Sequence, residues 1–103
     1  MLRLGFVLPH IGPLAGPEAI VDVARRAEAL GYDSVWVSER LLCPLQPRTA
    51  YPATLDGSWP DAYRYVIDPL VALSLAAAHT RTIALGTSVL ESRSTTRLCW
   101  GAA

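Results

Sequence analysis

Three short groups of residues could carry chemistry, and each follows an apolar stretch that is typical of a strand. In parallel α/β sheets, ligands gather at the carboxyl ends of strands, because strand ends and loops converge there on one open rim. A carboxylate, a guanidinium and small hydroxyl groups at such a rim could bind an anionic group or form a cofactor wall. The groups are Pro9-His10, Ser38-Glu39-Arg40 and Thr87-Ser88-Val89.

Each group also has an interpretation without function. His10 could be a solvent-exposed loop residue. Glu39 and Arg40 are adjacent, and adjacent side chains on a strand point to opposite faces, so one could face the rim while the other forms a structural ion pair. Gly86 and the two hydroxyl residues after it could be an ordinary strand end. Gly86 does weaken a strand unless something approaches its backbone closely.

Strand, helix and strand follow one another in the first 38 residues. Residues 2–8 are apolar and end at a proline, which predicts a strand buried on both faces. Pro17 opens a helix, since its missing N–H is harmless at the first position, and Gly31 fits the position just after the helix end. Residues 33–38 are rich in β-branched and aromatic residues and predict a second strand. The predicted apolar stripe of the helix is Ile20, Ala24, Ala27 and Leu30.

Residues 41–67 show no sustained periodicity, and a loop of this length in a compact domain is typical of a lid, a binding loop or disorder, although its aromatic residues argue against simple disorder. Asp68-Pro69 predicts the start of a second helix, with the aspartate as N-cap, and residues 82–90 predict a third strand. The order favours a parallel, right-handed α/β unit. The predicted stripe of the second helix is Leu70, Leu73 and Ala77, and the aromatic residues of the loop are Tyr51, Trp59, Tyr63 and Tyr65.

Composition narrows the classes of function. Of 103 residues, 51% are hydrophobic and 17% charged, which indicates a chain that forms a core rather than a disordered one. The formal net charge is zero, and there is no basic cluster, so we expect neither nucleic acid nor membrane as a partner. Cys43 and Cys99 have no metal-ligand or disulfide spacing, so we expect no metal site and a reducing, cytoplasmic location. The common dinucleotide, phosphate and hydrolase motifs are absent.

Four stretches together resemble the luciferase-like monooxygenase superfamily, particularly its deazaflavin (coenzyme F420)-dependent oxidoreductases. The resemblance covers residues 1–90. The four stretches are LRLGFVLP, AEALGYDSVWVSER, PLQPRTAYPATLDGSWPDAYR and DPLVALSLAAAHTRTIALGTSVL.

The resemblance implies a TIM-type (β/α)8 barrel, which typically needs about 250 residues, so this chain would hold its first three strands and two helices. It implies hydride transfer between F420, or a reduced flavin such as FMN, and a small-molecule substrate. Ser88-Val89 matches the place of a non-prolyl cis peptide bond that presses against the cofactor ring. The implied cofactor-binding residues are Glu39, Thr87, Ser88 and Val89; the implied catalytic residues are Glu39 and Arg40, with His10 at the substrate rim.

One departure concerns Arg40, because many F420 enzymes carry an acidic residue followed by histidine at this place. A guanidinium does not titrate near neutrality, so a proton relay does not transfer to Arg40. Arg40 could instead bind an anionic group or position a carboxylate.

Three strands cannot close a barrel, and an open sheet exposes an edge, so we expect residues 1–90 to be a partial barrel domain without turnover of its own. We expect residues 91–103 to be a tail outside the family pattern. The tail can be encoded so that one inserted G yields GIPLYNPVVLGRR, which resembles family sequence, and sequencing the DNA past codon 90 tests this frameshift.

The residues are also compatible with two other functions. One is an FMN-dependent monooxygenase of the same fold, which bound-cofactor absorbance would distinguish. The other is a non-catalytic α/β fragment that associates through its exposed sheet edge, with a partner chain or as a homo-oligomer.

Overall fold

The structure, a computed structural model, describes residues 1–40 and 45–90. Its three strands form one parallel sheet, in which they lie side by side in chain order. This confirms the predicted α/β class with an open sheet. A 3-10 helix at Asp61–Arg64 lies in the long loop. The main elements are β1 (Gly5–Val7), α1 (Pro17–Ala29), β2 (Ser34–Val37), α2 (Pro69–His79) and β3 (Ala84–Thr87).

The core lies between one face of the sheet and the two helices. Val35 and Val37 of the central strand are buried there, and Ile20 of α1 is fully buried beside them. Ala72 and Ala76 of α2 complete this layer. Because alanine side chains are small, the two helices approach the sheet and each other closely along this layer.

The expectation that the first strand is buried on both faces is wrong. All three residues of β1 are exposed, and the Val7 side chain is 65% exposed. β1 pairs only with β2, and the core lies on a single face of the sheet. Val7 shares its face with Trp36, opposite the helices. An apolar run does not distinguish such an edge strand from a central one.

The first helix begins and ends where its sequence predicts. Pro17 occupies its first turn, and Gly31 follows the helix end at a φ of 90°, a backbone conformation that glycine adopts without a steric penalty. The predicted stripe holds for its first three members, Ile20, Ala24 and Ala27, which are buried. Leu30 is 77% exposed, because it lies at the C-cap, beyond the last turn that packs on the sheet.

The second helix begins at the predicted cap but buries a different stripe. Asp68 Oδ1 accepts hydrogen bonds from the backbone N–H groups of the second and third helical residues, at 2.9 and 3.2 Å. The buried positions are Pro69, Ala72 and Ala76, so the predicted stripe of Leu70, Leu73 and Ala77 is wrong, with only Leu73 packed against the core. The helix is apolar on nearly every side, so its pattern does not select a face.

Glu28 of α1 joins that helix to the turn before β3. Its carboxylate accepts backbone hydrogen bonds from Arg81, Thr82 and Ile83 at 2.9, 2.8 and 3.0 Å. These bonds, the one from Thr82 first and then those from Ile83 and Arg81, lower the pKa of Glu28 from 4.5 to about 2. The contact lies at the amino end of β3, away from the carboxyl-end rim, so it stabilises the fold rather than a site.

Replacing Glu28 with glutamine is expected to remove a pH-dependent part of the stability. A carboxyl group whose pKa is lowered in the folded state stabilises fully above its unfolded value, and this stabilisation is lost as the pH falls from about 4.5 to about 2. Thermal unfolding at several pH values should therefore show a midpoint difference between the two proteins that is largest near neutrality and vanishes near pH 2. Glu18→Gln, at an exposed position of α1, is the control. A difference that stays constant across this range would contradict the assignment.

Candidate functional site

The chain segments that follow β2 and β3 stay hydrogen-bonded to each other at the carboxyl end of the sheet. Ser88 N–H donates to the Val37 carbonyl at 2.8 Å, and Glu39 N–H donates to the Val89 carbonyl at 3.3 Å. The peptide bond between Ser88 and Val89 is cis, as the resemblance implies. Thr87 pairs with Val37 in the sheet. The predicted groups after the second and third strands are thus brought together at the rim.

His10 is buried, and its interpretation as an exposed loop residue is wrong, because only 2% of it is exposed. Its Nε2 accepts the Ser38 backbone N–H at 2.9 Å and lies 3.1 Å from the Ser38 hydroxyl. Since an N–H group can only donate, Nε2 carries no proton, and Nδ1–H donates to the Leu8 carbonyl at 2.8 Å. The His10 imidazole therefore links the ends of β1 and β2.

A cleft of about 420 Å³ opens at this rim. Its walls combine apolar side chains with two serines, which is the usual composition of a site for a small organic ligand. Ser38 in this wall is the residue that His10 holds in place. The lining residues are Val7, Trp36, Val37, Ser38 and Ser88.

The indole of Trp36 lies across the face of the sheet that carries no helix. A Cβ atom built on Gly86 would lie 2.5 Å from its Cζ3 atom, and one built on Gly5 would lie 2.6 Å from Nε1. The indole N–H donates to the Ser34 hydroxyl at 2.7 Å. The close approach that a glycine in the third strand suggests is therefore made by the ring of Trp36. The ring itself is 39% exposed and forms the floor of the cleft.

Arg40 lies against the rings of Trp59 and Tyr63 in the long loop. Together with Tyr51, which contacts both rings, these aromatic residues form what we call the aromatic cluster. The Arg40 Cζ atom lies 4.0 Å from the ring centroid of Tyr63 and 5.8 Å from that of Trp59, both within the range of a cation–π interaction. The hydroxyls of Tyr51 and Tyr63 are 2.7 Å apart. This hydrogen bond is the main reason why the pKa of Tyr51 is raised, with desolvation second and the nearby charge of Arg40 opposing.

The far end of the loop returns to the segment after β1. Ile11 and Val66 form an antiparallel bridge. The Gly12 N–H donates to the Tyr65 carbonyl at 2.8 Å, and the Ile67 N–H donates to the His10 carbonyl at 2.9 Å. The loop therefore leaves the sheet after the end of β2 and returns to it after the end of β1, both at the carboxyl end of the sheet.

Sequence reasoning missed the contribution of Trp36 and the link between His10 and Ser38. Gly5, Trp36 and Gly86 fall on the three strands in turn, and a large ring flanked by two strand glycines is a signal that could have predicted the packing. The link between His10 and Ser38 has no local signal, because the two residues are 28 positions apart. Cys43 and the tail at 91–103 lie outside the described residues.

Two further properties concern the described part of the chain. Within residues 1–40 and 45–90, no three side chains of the histidine, cysteine, aspartate and glutamate types come together closely enough to hold a metal ion. In the same residues, each helix is too short or too polar to cross a membrane.

Comparison with known proteins gives a family. The model of the luciferase-like monooxygenase family matches residues 2–94. Uncharacterized proteins of Mycobacterium bovis and Mycobacterium tuberculosis are each 40% identical to the chain over 67 residues. The match covers 64% of this chain but 24% of each relative, so the chain spans about a quarter of the length of these proteins. No solved structure gives a significant match.

Proposed function

The chain belongs to the luciferase-like monooxygenase family, and from this premise we propose that it forms part of the site of an oxidoreductase that uses coenzyme F420. The other substrate is a small organic molecule. The observation that carries the proposal is the cleft at the carboxyl ends of the strands, with Trp36 as its floor and Ser38 and Ser88 in its walls. Its position matches the place where parallel α/β sheets bind their ligands.

The lining of the cleft supports a flat conjugated ring system as the ligand. Trp36 supplies a flat indole that is 39% exposed, and Val7, which shares its face of the sheet, adds an apolar side chain beside it. The hydroxyls of Ser38 and Ser88 can donate to or accept from polar atoms at the edge of such a ring. When bound, the deazaflavin would supply or accept the hydride, while the protein supplies binding and orientation.

The residues around the cleft hold these groups in place. His10 fixes Ser38 through its backbone N–H, so the Ser38 hydroxyl has a defined position. The Val37 carbonyl fixes Ser88 from the other side, and the Val89 carbonyl holds the backbone of Glu39 beside it. We propose that Thr87, Ser88, Val89 and the Glu39 backbone form the cofactor wall, and that the Glu39 carboxylate serves the reacting end of the site.

We propose that the site is partial in this chain. The sheet has three strands and is open at β1 and β3, whereas a closed barrel of eight strands needs about 250 residues. The barrel architecture and the contacts to the remainder of the cofactor would come from segments beyond those described. On this basis the chain alone should bind a cofactor weakly and show no turnover.

The test is a titration of the full chain, labelled with ¹⁵N, with F420 and separately with FMN. The Trp36 indole N–H signal, assigned with the Trp36→Phe variant, should shift with F420 and show fast exchange, without substrate turnover. Arg25→Gln, on the outer surface of α1, should leave the shift unchanged. Absence of any shift with either cofactor would overturn the assignment of the cleft. Tight, stoichiometric binding with turnover would instead overturn the claim that the site is partial.

A second candidate function is an FMN-dependent monooxygenase, which the description of the matching family model favours. The same titration separates the two candidates. A shift of the Trp36 signal with FMN, together with none with F420, would support the monooxygenase and contradict the F420 proposal.

A third candidate is a fragment that associates through its sheet edge, because β1 is exposed and pairs on one side only. Light scattering of the chain at several concentrations would show this association as a mass that increases with concentration. A constant monomer mass would contradict it.

A further inference from the structure

The long loop is attached to the rim at its far end by backbone hydrogen bonds, at Gly12 with Tyr65 and at His10 with Ile67. Side-chain contacts of Arg40, three residues after the end of β2, attach the loop at its near end. With both attachments at the carboxyl end of the sheet, the loop between them is placed along the rim.

The loop between the attachments is bonded to itself. The Trp59 indole N–H donates to the Thr49 carbonyl at 3.1 Å, and the Tyr51 N–H donates to the Gly57 carbonyl at 2.8 Å. Within the aromatic cluster, the ring centroid of Tyr51 lies 5.2 Å from that of Trp59 and 5.7 Å from that of Tyr63. Because the members of the aromatic cluster are connected in this way, a contact with one of them affects the position of the whole segment 49–63.

Arg40 makes this contact with a guanidinium over the Tyr63 ring. A guanidinium is planar and weakly hydrated, so it packs on an aromatic ring through both charge and surface, whereas a lysine ammonium group is a compact and strongly hydrated charge. The contact between position 40 and the Tyr63 ring therefore depends on the planar shape of the cation as well as on its charge.

We infer that Arg40 is a positioning residue that holds the loop segment 49–63 against the end of β2 by packing its guanidinium on the aromatic cluster. The placement of this loop segment relative to the carboxyl end of the sheet depends on this contact. The assignment gives Arg40 a role that differs from binding an anionic group of a ligand, and it does not depend on which cofactor the cleft accepts.

The experiment is residue-resolved hydrogen exchange on the full chain. Replacing Arg40 with methionine keeps most of the side-chain length and removes the guanidinium. Exchange of the Tyr51 amide and the Trp59 indole N–H should become about tenfold faster. The loss of a cation–π contact of this kind lowers the free energy of local opening by an amount that corresponds to this change in rate. The Ser88 amide, which bonds to Val37 in the sheet extension, should exchange at an unchanged rate. Tyr63→Leu, which also removes the hydroxyl bonded to Tyr51, should have at least the same effect, and the double variant should match Tyr63→Leu alone.

Two further variants distinguish packing of the planar guanidinium from the effect of its charge alone and from the effect of removing any arginine of this region. Arg40→Lys should restore less than half of the lost protection, and full restoration would overturn the claim that the planar group is required. Arg64→Met removes an arginine of the same loop whose partner is Asp61 at 3.7 Å in an exposed ion pair, and it should leave both rates unchanged. Equal effects of Arg40→Met and Arg64→Met, or unprotected loop groups in the unsubstituted chain, would overturn the inference.

Discussion

Replacing His10 with leucine is expected to lower the free energy of unfolding by about 2 kcal/mol, the order of the cost of an unsatisfied buried donor. Leucine fills much of the space of the imidazole, but it cannot accept the Ser38 N–H, which bonds to Nε2 at 2.9 Å. The Leu8 carbonyl is less affected, because it also accepts the His10 backbone N–H at 2.9 Å. Urea unfolding followed by circular dichroism measures the difference.

His79→Leu is the matched control for this experiment. The imidazole of His79 also lies 2.9 Å from a backbone carbonyl, that of Leu75, but at an exposed position at the end of α2. Its replacement should change the free energy of unfolding by less than about 0.5 kcal/mol, as is usual for a surface position. Equal losses for the two variants would refute the special contribution of His10. A larger loss for His10 would also predict weaker ligand binding, because Ser38 would lose its attachment.

Replacing Gly86 with serine is expected to displace the indole of Trp36 and to cost about 1–3 kcal/mol, the usual range for overpacking. The new Cβ atom would lie 2.5, 2.6 and 2.9 Å from the Cζ3, Cε3 and Cη2 atoms of the ring. The ring must then rotate away from the sheet and give up its hydrogen bond to Ser34. The indole N–H signal of Trp36 and the free energy of unfolding should both change.

The control for this substitution is Gly16→Ser. A Cβ atom added to Gly16 would meet no heavy atom within 4 Å, and the backbone there is extended at the N-cap of α1, where serine is a favoured residue. This variant should be neutral or slightly stabilising. Combining Gly86→Ser with Trp36→Leu should recover part of the lost stability, because the ring that clashes is gone. If Gly86→Ser leaves the Trp36 signal in place, the packing described above is incorrect.

The order of elements was predictable because its signals are local. Asp68 followed by proline marks the start of α2, and Gly31 marks the end of α1, and the structure confirms both. The buried stripe of α2 was not predictable, since a helix with Leu70 and Val71 as well as Ala72 in sequence presents apolar groups in every direction. The neighbours of the helix in the fold, not its own pattern, select the buried face.

The candidate site was predictable in its location but not in its contacts. Strand ends identified the rim because parallel strands share one carboxyl edge. The contact between Arg40 and Tyr63 joins residues separated by a long loop without periodicity, so no spacing rule could indicate it. The burial of His10 depends in the same way on Ser38, which a distant segment supplies.

Trp36 has a consequence for how the chain avoids wrong pairings. Its ring occupies the space above one glycine on each neighbouring strand, Gly5 and Gly86. If either strand shifted along β2 by a single residue, Phe6 or Leu85 would be turned to that face and would collide with the ring. The Trp36 side chain on the central strand therefore selects the alignment of both outer strands. Misaligned sheets are excluded by a steric clash with this ring, although Trp36 contributes little to the buried core.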